Sequence, residues 1–307
     1  MNLTKLNHIK IYGHRGARGD LPENTLNSFQ YLFDHLISAY ETDILISKDL
    51  IPVITHDFKL DPSFTQDNNG EWITDENIKI FDLTYEELSK YDVGTLNKLS
   101  KYGRNFVNQK SLPNQKIPKL DDLLNLTARN QTENLIINLE IKSTPAQENF
   151  TPLPQEMVKL VLDVVNNSAL KDKIIYSSFD WRVLREVRDQ NPHAPRAYLT
   201  ELHQSGSKIS GTIYDQSPWM DFIPLKNAFE LPRLIASLGG RAWHPYYRDI
   251  SKKMIDISHE ENLAVNVWTV NDEDDMLKMI EYGVDGIITD YPLRLKNLCE
   301  KNNISWF

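Results

Sequence analysis

Cysteine is almost absent from this chain. A single one, Cys299, occurs in 307 residues, so neither a disulfide framework nor a cysteine-based zinc site can form within one chain. Positive charge is scarce as well. The 34 Lys and Arg stand against 43 Asp and Glu, a formal charge of −9. Nucleic-acid binders usually present a basic stripe, so this balance argues against such a partner. It leaves room for a small anionic substrate held in a local cationic pocket. Long hydrophobic runs are missing too. None is long enough to span a bilayer, and the opening Met1-Asn2-Leu3-Thr4-Lys5-Leu6-Asn7-His8 has no apolar stretch behind its charge, as a secretory signal would. The expectation is a cytoplasmic enzyme without stable membrane insertion. Apolar residues still make up 40% of the chain, enough for a sizeable core.

What is present is an alternation. Short apolar runs at 9–13, 40–47, 135–142, 173–178, 196–200, 240–244, 264–270 and 285–289 read as strands. Amphipathic stretches at 24–37, 120–129, 155–169, 181–190, 250–262, 273–282 and 293–301 read as helices between them. Asp180 and Asn271 or Asp272 stand where helix N-caps belong, and Gly283 where a left-handed C-cap belongs. Eight strands in βα alternation predict an α/β fold, a (β/α)8 TIM barrel, formed as one domain over 1–307. Residues 58–118 are long, polar and turn-rich, with one helix predicted at 84–91, and read as a small insertion after the second strand, over the barrel mouth. Its aromatics Phe58, Phe64, Trp72, Phe81 and Tyr85 are expected to form a mini-core rather than a lid. Residues 204–229 hold either the fifth helix or a second lid.

The polar residues at the strand ends carry the chemistry. His14-Arg15-Gly16 ends the first run, Glu41 and Asp43 share one face of the second, His56 follows Val53-Ile54-Thr55, and Glu140 and Lys142 share a face of the third. In a (β/α)8 barrel all of these project from the C-terminal rim. Three carboxylates brought together repel one another unless a cation neutralises them, and a hard divalent ion, Mg2+ or Ca2+, suits oxygen ligands. Arg15 can hold a phosphate in bidentate fashion and Lys142 adds a point charge. His14 and His56 supply one general acid and one general base. The set is that of metal-assisted cleavage of a phosphate ester. Asn266 and Trp268 share a face of the seventh strand, and both are expected on the pocket wall with His244 from the sixth. Asp290 is open to a catalytic role, but in Asp-Tyr-Pro before a helix it reads better as an N-cap. Glu23 and Asn24 are expected to fix the first loop, and Asp57 either to orient His56 or to cap.

These motifs occur in a recognisable order. His14-Arg15-Gly16, Pro22-Glu23-Asn24-Thr25, Tyr40-Glu41-Thr42-Asp43-Ile44, Pro52-Val53-Ile54-Thr55-His56-Asp57, Leu139-Glu140-Ile141-Lys142, Val267-Trp268-Thr269 and Gly286-Ile287-Ile288-Thr289-Asp290-Tyr291-Pro292 follow one another almost from end to end. The chain resembles the glycerophosphodiester phosphodiesterases. The resemblance implies hydrolysis of small glycerophosphodiesters, such as glycerophosphocholine or glycerophosphoethanolamine, to glycerol 3-phosphate and an alcohol. By position it gives Glu41, Asp43 and Glu140 the metal-ligand role, His14 and His56 acid–base catalysis, Arg15 and Lys142 phosphate contact, and Trp268 a place on the substrate pocket. A phospholipase D-like enzyme acting on lysophospholipids is the alternative, along with a phosphodiester-binding barrel without turnover. Two positions depart from the family pattern. Ser38-Ala39 stands where glycine is usual, and so does Leu50, in the turn before the second histidine. Leucine is poor at positive φ, so that turn is expected to take another form.

Overall fold

The computed structural model describes residues 8–147, 149–202, 204–205, 208–209 and 211–307. The reading of a missing leader at 1–7, and part of the 204–229 stretch, lie outside them. In chain order the first elements are β1 (Lys10–His14), α1 (Leu26–Asp34), β2 (Ala39–Ile46), β3 (Pro52–Ile54), α2 (Tyr85–Leu88), α3 (Leu120–Arg129), β4 (Ile136–Ile141) and α4 (Pro154–Asn166). They are followed by β5 (Ile174–Ser178), α5 (Trp181–Gln190), β6 (Arg196–Thr200), β7 (Gln204–Ser205), β8 (Lys208–Ile209) and α6 (Leu231–Ser237). The chain ends with β9 (Ala242–Pro245), α7 (Lys252–Glu260), β10 (Ala264–Val267), α8 (Glu273–Tyr282), β11 (Gly286–Thr289) and α9 (Pro292–Lys301).

Eight of these strands are parallel and run in the order β1-β11-β10-β9-β6-β5-β4-β2, and a β1–β2 pairing closes the ring. This is the (β/α)8 barrel. Alternate residues of each strand point inward. Tyr12, Ala39, Ile136, Ile175, Ala197, Ala242, Ala264 and Ile288 fill the interior as one buried cluster. The opposite faces pack under the helices, with Ile11, Tyr40, Ile137, Tyr176 and Trp243 among them. Asp180 and Asp272 cap α5 and α8 through their side chains, and Gly283 ends α8 in the left-handed region at φ +87°. Among the described residues no helix is long and apolar enough to cross a membrane.

β3 is not a barrel strand. It runs antiparallel to the end of β2, with Ile44 opposite Ile54 and Ile46 opposite Pro52. His56 therefore reaches the rim on a hairpin, not at the end of a barrel strand as the other site residues do. Beyond it the chain builds a cap with a small core of its own, in which Leu60, Ile80, Leu88, Val93 and Ile117 pack on Leu45 and Val53. Phe58 and Tyr85 join that core, while Phe64 packs on Tyr102 at 5.7 Å between ring centres. The helix expected at 84–91 is a single turn, α2, fixed by reciprocal Thr84 and Glu87 hydrogen bonds. The helix after β6 lies beyond 204–229, at α6. It has only seven residues and begins with a proline in its first turn, too short a stretch to show a helical period.

The turn at Leu50 corrects the sequence reading. Leu50 keeps φ at +63°, and Leu36, just past α1, has the same value. Both side chains are exposed, Leu36 by 74%, so nothing apolar holds them there. The left-handed conformation of a leucine costs about 1–2 kcal/mol. The Leu36 position follows a helix C-cap, with Ile37 N–H bonded to the Leu32 carbonyl, a place that favours glycine. Leu36→Gly is expected to raise stability by about 0.5–1 kcal/mol after the added freedom of the unfolded chain is counted. A denaturant titration should show a higher midpoint with an unchanged slope.

Candidate active site

β1 delivers His14 to the C-terminal rim and then turns sharply. Arg15 (φ +51°) and Gly16 (φ +85°) are both left-handed, and a Cβ on Gly16 would stand 2.4 Å from Ser28 Oγ. Only glycine fits that step. The turn points the Arg15 N–H at Glu41 Oε2, 3.1 Å away, and folds the Arg15 side chain back over β2. There Nη1 donates to Glu23 at 2.8 Å, and Nε lies 3.3 Å from Asp43 Oδ2. Asn24 braces the same carboxylate, donating to Asp43 Oδ2 at 3.0 Å while accepting from Thr42. Glu23 and Asn24 thus hold the loop and its charges, and Tyr102 of the cap donates its hydroxyl to Glu23.

The ladder sets the carboxylates in a row. His14 is in register with Glu41, and Asp43 with Glu140. Ligand oxygens of Glu41, Asp43 and Glu140 all lie within 4.8 Å of one another, and all three residues are buried. Lys142 Nζ is 2.9 Å from Glu140 and 3.7 Å from Asp43. Burial and then the charges of Asp43 and Glu140 push Glu41 well above the usual carboxylate range. Burial likewise raises Glu140, against the pull of Lys142. Asp43 goes the other way: burial would raise it, but His56, Arg15 and Lys142 hold it low. Glu41 Oε1 and Asp43 Oδ1 are buried without a hydrogen-bond partner. Two orphaned oxygens in an oxygen-only donor set, with two of the three acids resisting ionisation, fit a hard divalent cation.

Both histidines are oriented by a carboxylate. His14 Nδ1 is 2.7 Å from Asp290 Oδ1, and His56 Nδ1 is 2.7 Å from Asp57 Oδ1. An ionised carboxylate only accepts, so each Nδ1 carries the proton and each Nε2 is left free. His14 Nε2 lies 3.7 Å from Glu41 Oε2. Burial, then the nearby Arg18, push the His14 imidazole down to about 4, against the attraction of Asp290. Burial and the charges of Arg15 and Lys142 lower His56 as well. Both rings are neutral near pH 7.

Asp290 does not cap α9, whose N-cap Tyr291 has no side-chain cap bond. It accepts instead from His14, from Arg18 Nε and Nη2 at 2.7 and 2.9 Å, and from Asn271 Nδ2 at 2.7 Å. Burial would raise this acid, but Arg18 and His14 hold it far below the usual carboxylate range. The sequence reading weighed a catalytic role for Asp290 and preferred a cap, and it missed Arg18. Asp290 stands just past the end of β11, as His14 ends β1, and that shared placement was the available signal.

A cavity of about 240 Å³ opens among these groups. His14, Arg15, Arg18, Glu41, His56 and Glu140 make its polar half, and Phe179, Leu199, Trp268 and Ile288 its apolar wall. Trp268 is held by its Nε1 bond to the His244 carbonyl (2.8 Å) and by Phe179 and Tyr246 at 5.3 and 5.4 Å. A second cavity of about 290 Å³ shares Glu140 and Phe179 with the first and is lined by Phe58, Lys142 and Trp219. His244 and Asn266 line neither. They are buried below Trp268 and paired with each other, His244 Nε2 to Asn266 Nδ2 at 2.9 Å. They face inward as their strands require, each two residues before Tyr246 and Trp268, which bridge one another.

Comparison with known proteins bears on the family and the fold. A sequence model of the glycerophosphoryl diester phosphodiesterase family matches residues 14–294. The glycerophosphodiester phosphodiesterase of Caldanaerobacter subterraneus is 27% identical over 291 residues, covering 95% of this chain and 98% of its own. A crystal structure from Silicibacter pomeroyi, provisionally named a glycerophosphoryl diester phosphodiesterase, superposes with a TM-score of 0.88 at 34% identity, over 100% of this chain and 98% of that one. An Oleispira antarctica phosphodiesterase, solved with its product sn-glycerol-3-phosphate, shares the fold at a TM-score of 0.70 and 22% identity, over 94% and 96% of the two chains.

Proposed function

Because the chain belongs to the glycerophosphoryl diester phosphodiesterase family and is a phosphoric diester hydrolase, we propose that it cleaves small glycerophosphodiesters, glycerophosphocholine and glycerophosphoethanolamine among them, to glycerol 3-phosphate and the free alcohol. The observation that carries this reading is the pair of carboxylate-oriented neutral imidazoles lining one cavity with Glu41 and Glu140 of the buried acidic trio. The Oleispira protein, bound to glycerol 3-phosphate, is in keeping with it.

Glu41, Asp43 and Glu140 would hold Mg2+ or Ca2+, which supplies Lewis-acid stabilisation of charge on a phosphoryl oxygen. The chain's own residues do the rest. Arg15 and Arg18 present guanidinium groups to the cavity and fix the phosphate against them. Lys142 adds positive charge from the second cavity. One free Nε2 takes the proton of the attacking oxygen; the other ring, first protonated on Nε2 from solvent and held as an imidazolium by its partner carboxylate, gives that proton to the leaving alcohol, and exchange with solvent returns both rings to the neutral form. Trp268 and Phe179 wall the glycerol side and exclude water. The attacking oxygen is water or the substrate's own 2-hydroxyl, which would close a cyclic phosphate and gains from proximity. Residues 1–307 act as one catalytic domain, a barrel with its cap inserted at about 58–118.

A coupled assay for glycerol 3-phosphate over a panel of glycerophosphodiesters, with and without each metal, tests the reading. Release that depends on Mg2+ or Ca2+ is the expected result. No release from any member of the panel with either metal would refute it. Good turnover of 2-deoxy analogues would eliminate the internal hydroxyl.

A further inference from the structure

Residues 98–110 of the cap have two faces that differ in kind. Inward, Tyr102 bonds Glu23, the Phe106 ring lies 5.0 Å from the Arg18 guanidinium, and Gln109 Nε2 donates to the Arg18 carbonyl at 2.7 Å. These contacts tie the segment to the β1–α1 loop at the mouth of the site. Outward, it exposes Lys98, Lys101 and Arg104 together with Leu99, 84% exposed, and Val107, 53% exposed. Arg104 donates to the Leu99 carbonyl at 3.1 Å, and none of the three cations is paired with a carboxylate among the described residues. The surrounding sequence has one sign. Residues 93–120 contain six Lys and Arg and no Asp or Glu, in a chain whose formal charge is −9.

Apolar side chains standing free among cations suit the boundary between lipid headgroups and acyl chains, where the charges meet anionic headgroups and the apolar tips are buried. We propose that the rim at 98–107 docks on a bilayer containing anionic phospholipid, with the mouth of the catalytic cavity beside that surface. Charge complementarity selects this occupant. A second copy meeting rim to rim would set three cations against the same three. A nucleic acid would use the cations but gain nothing from Leu99 and Val107, which offer no ring for a base to stack on. The rim is a turn, not a long amphipathic helix, so its attachment is peripheral, reversible and sensitive to salt.

Co-sedimentation with vesicles of phosphatidylcholine, with and without phosphatidylglycerol, tests the proposal. Binding is expected only with phosphatidylglycerol, and is lost at high salt. Lys98→Glu with Lys101→Glu should weaken it at least ~10-fold, since each cation at such a surface contributes ~5-fold. Leu99→Ser with Val107→Ser should weaken it while leaving the salt dependence in place. Both pairs leave turnover of a water-soluble glycerophosphodiester unchanged, because none of the four side chains lines either cavity. Failure here is therefore distinct from failure of the catalytic reading. Equal binding to pure phosphatidylcholine, no binding at all, or indifference to the charge reversal would overturn the proposal. So would self-association of the wild type that the same substitutions abolish, which would make the rim a contact between copies.

Discussion

His14→Ala and His56→Ala are each expected to lower kcat by roughly 10² to 10⁴ while the protein stays folded. Each ring supplies a proton transfer that its neighbours are poorly placed to replace, because Glu41, Asp43 and Glu140 face the cation site, Asp290 and Asp57 are engaged at the Nδ1 side of the rings, and Arg and Lys stay charged. Asp290→Asn extends the test to a residue that need not touch substrate. Asp290 receives four N–H donors, from His14, Arg18 twice, and Asn271. An amide has only one acceptor oxygen, so either orientation of the substituted side chain sets its NH2 against at least one of those donors. With the NH2 at the Oδ1 position His14 loses its fixed tautomer, and with it at the Oδ2 position the loss of charge still weakens the hold on the imidazole. The expected result is a loss of roughly 10²-fold in kcat with KM little changed, the signature of a group needed in the transition state. Wild-type kcat in both histidine variants would remove acid–base roles from these residues, and an unchanged kcat in Asp290→Asn would make its contacts merely structural.

Chelation is expected to abolish turnover, with recovery on adding Mg2+ or Ca2+. It should also destabilise the fold. A cation at a hundred times its dissociation constant stabilises the native state by about 2.7 kcal/mol. The pH dependence has a definite sign. Burial and mutual repulsion raise Glu41 and Glu140, so below their folded-state values protons occupy the site and must leave before a cation can bind. The cation-induced rise in Tm should therefore be small near the ordinary glutamate range and grow as pH increases through the raised values. Glu41→Gln should shrink that rise at every pH and make the metal-free protein less sensitive to pH. A rise in Tm that is independent of pH, or activity retained in verified metal-free protein, would take these carboxylates out of the reaction.

Much of the barrel was readable because its strands are short, mainly apolar runs set between amphipathic helices, as a parallel sheet covered on both faces favours. The rim residues were readable because charged side chains are rare in buried strands, so Glu140 within Ile136–Ile141 and the Glu41 and Asp43 pair within Ala39–Ile46 stand out. Depth was not. Periodicity says that His244 and Asn266 face inward, but their height depends on the stagger of eight strands, which no local pattern encodes. Asp290 shows a different failure. Asp-Tyr-Pro ahead of a helix has the same local appearance whether the acid caps that helix or receives His14 and Arg18 from the far end of the chain. Leu50 shows that a steric rule of roughly 1–2 kcal/mol can be overridden when the β2–β3 hairpin on either side fixes the turn.

The two imidazoles are mounted on different parts of the molecule. His14 belongs to a closed ring of strands, whereas His56 rides on the hairpin that opens the cap. Peripheral units of this kind can unfasten at less than the free energy of global unfolding. A cap that melted while the ring persisted would still leave the acidic trio and one imidazole assembled, yet incapable of a full proton relay. Heat or denaturant should then silence the enzyme before its core signals any transition, and cooling should rearm it.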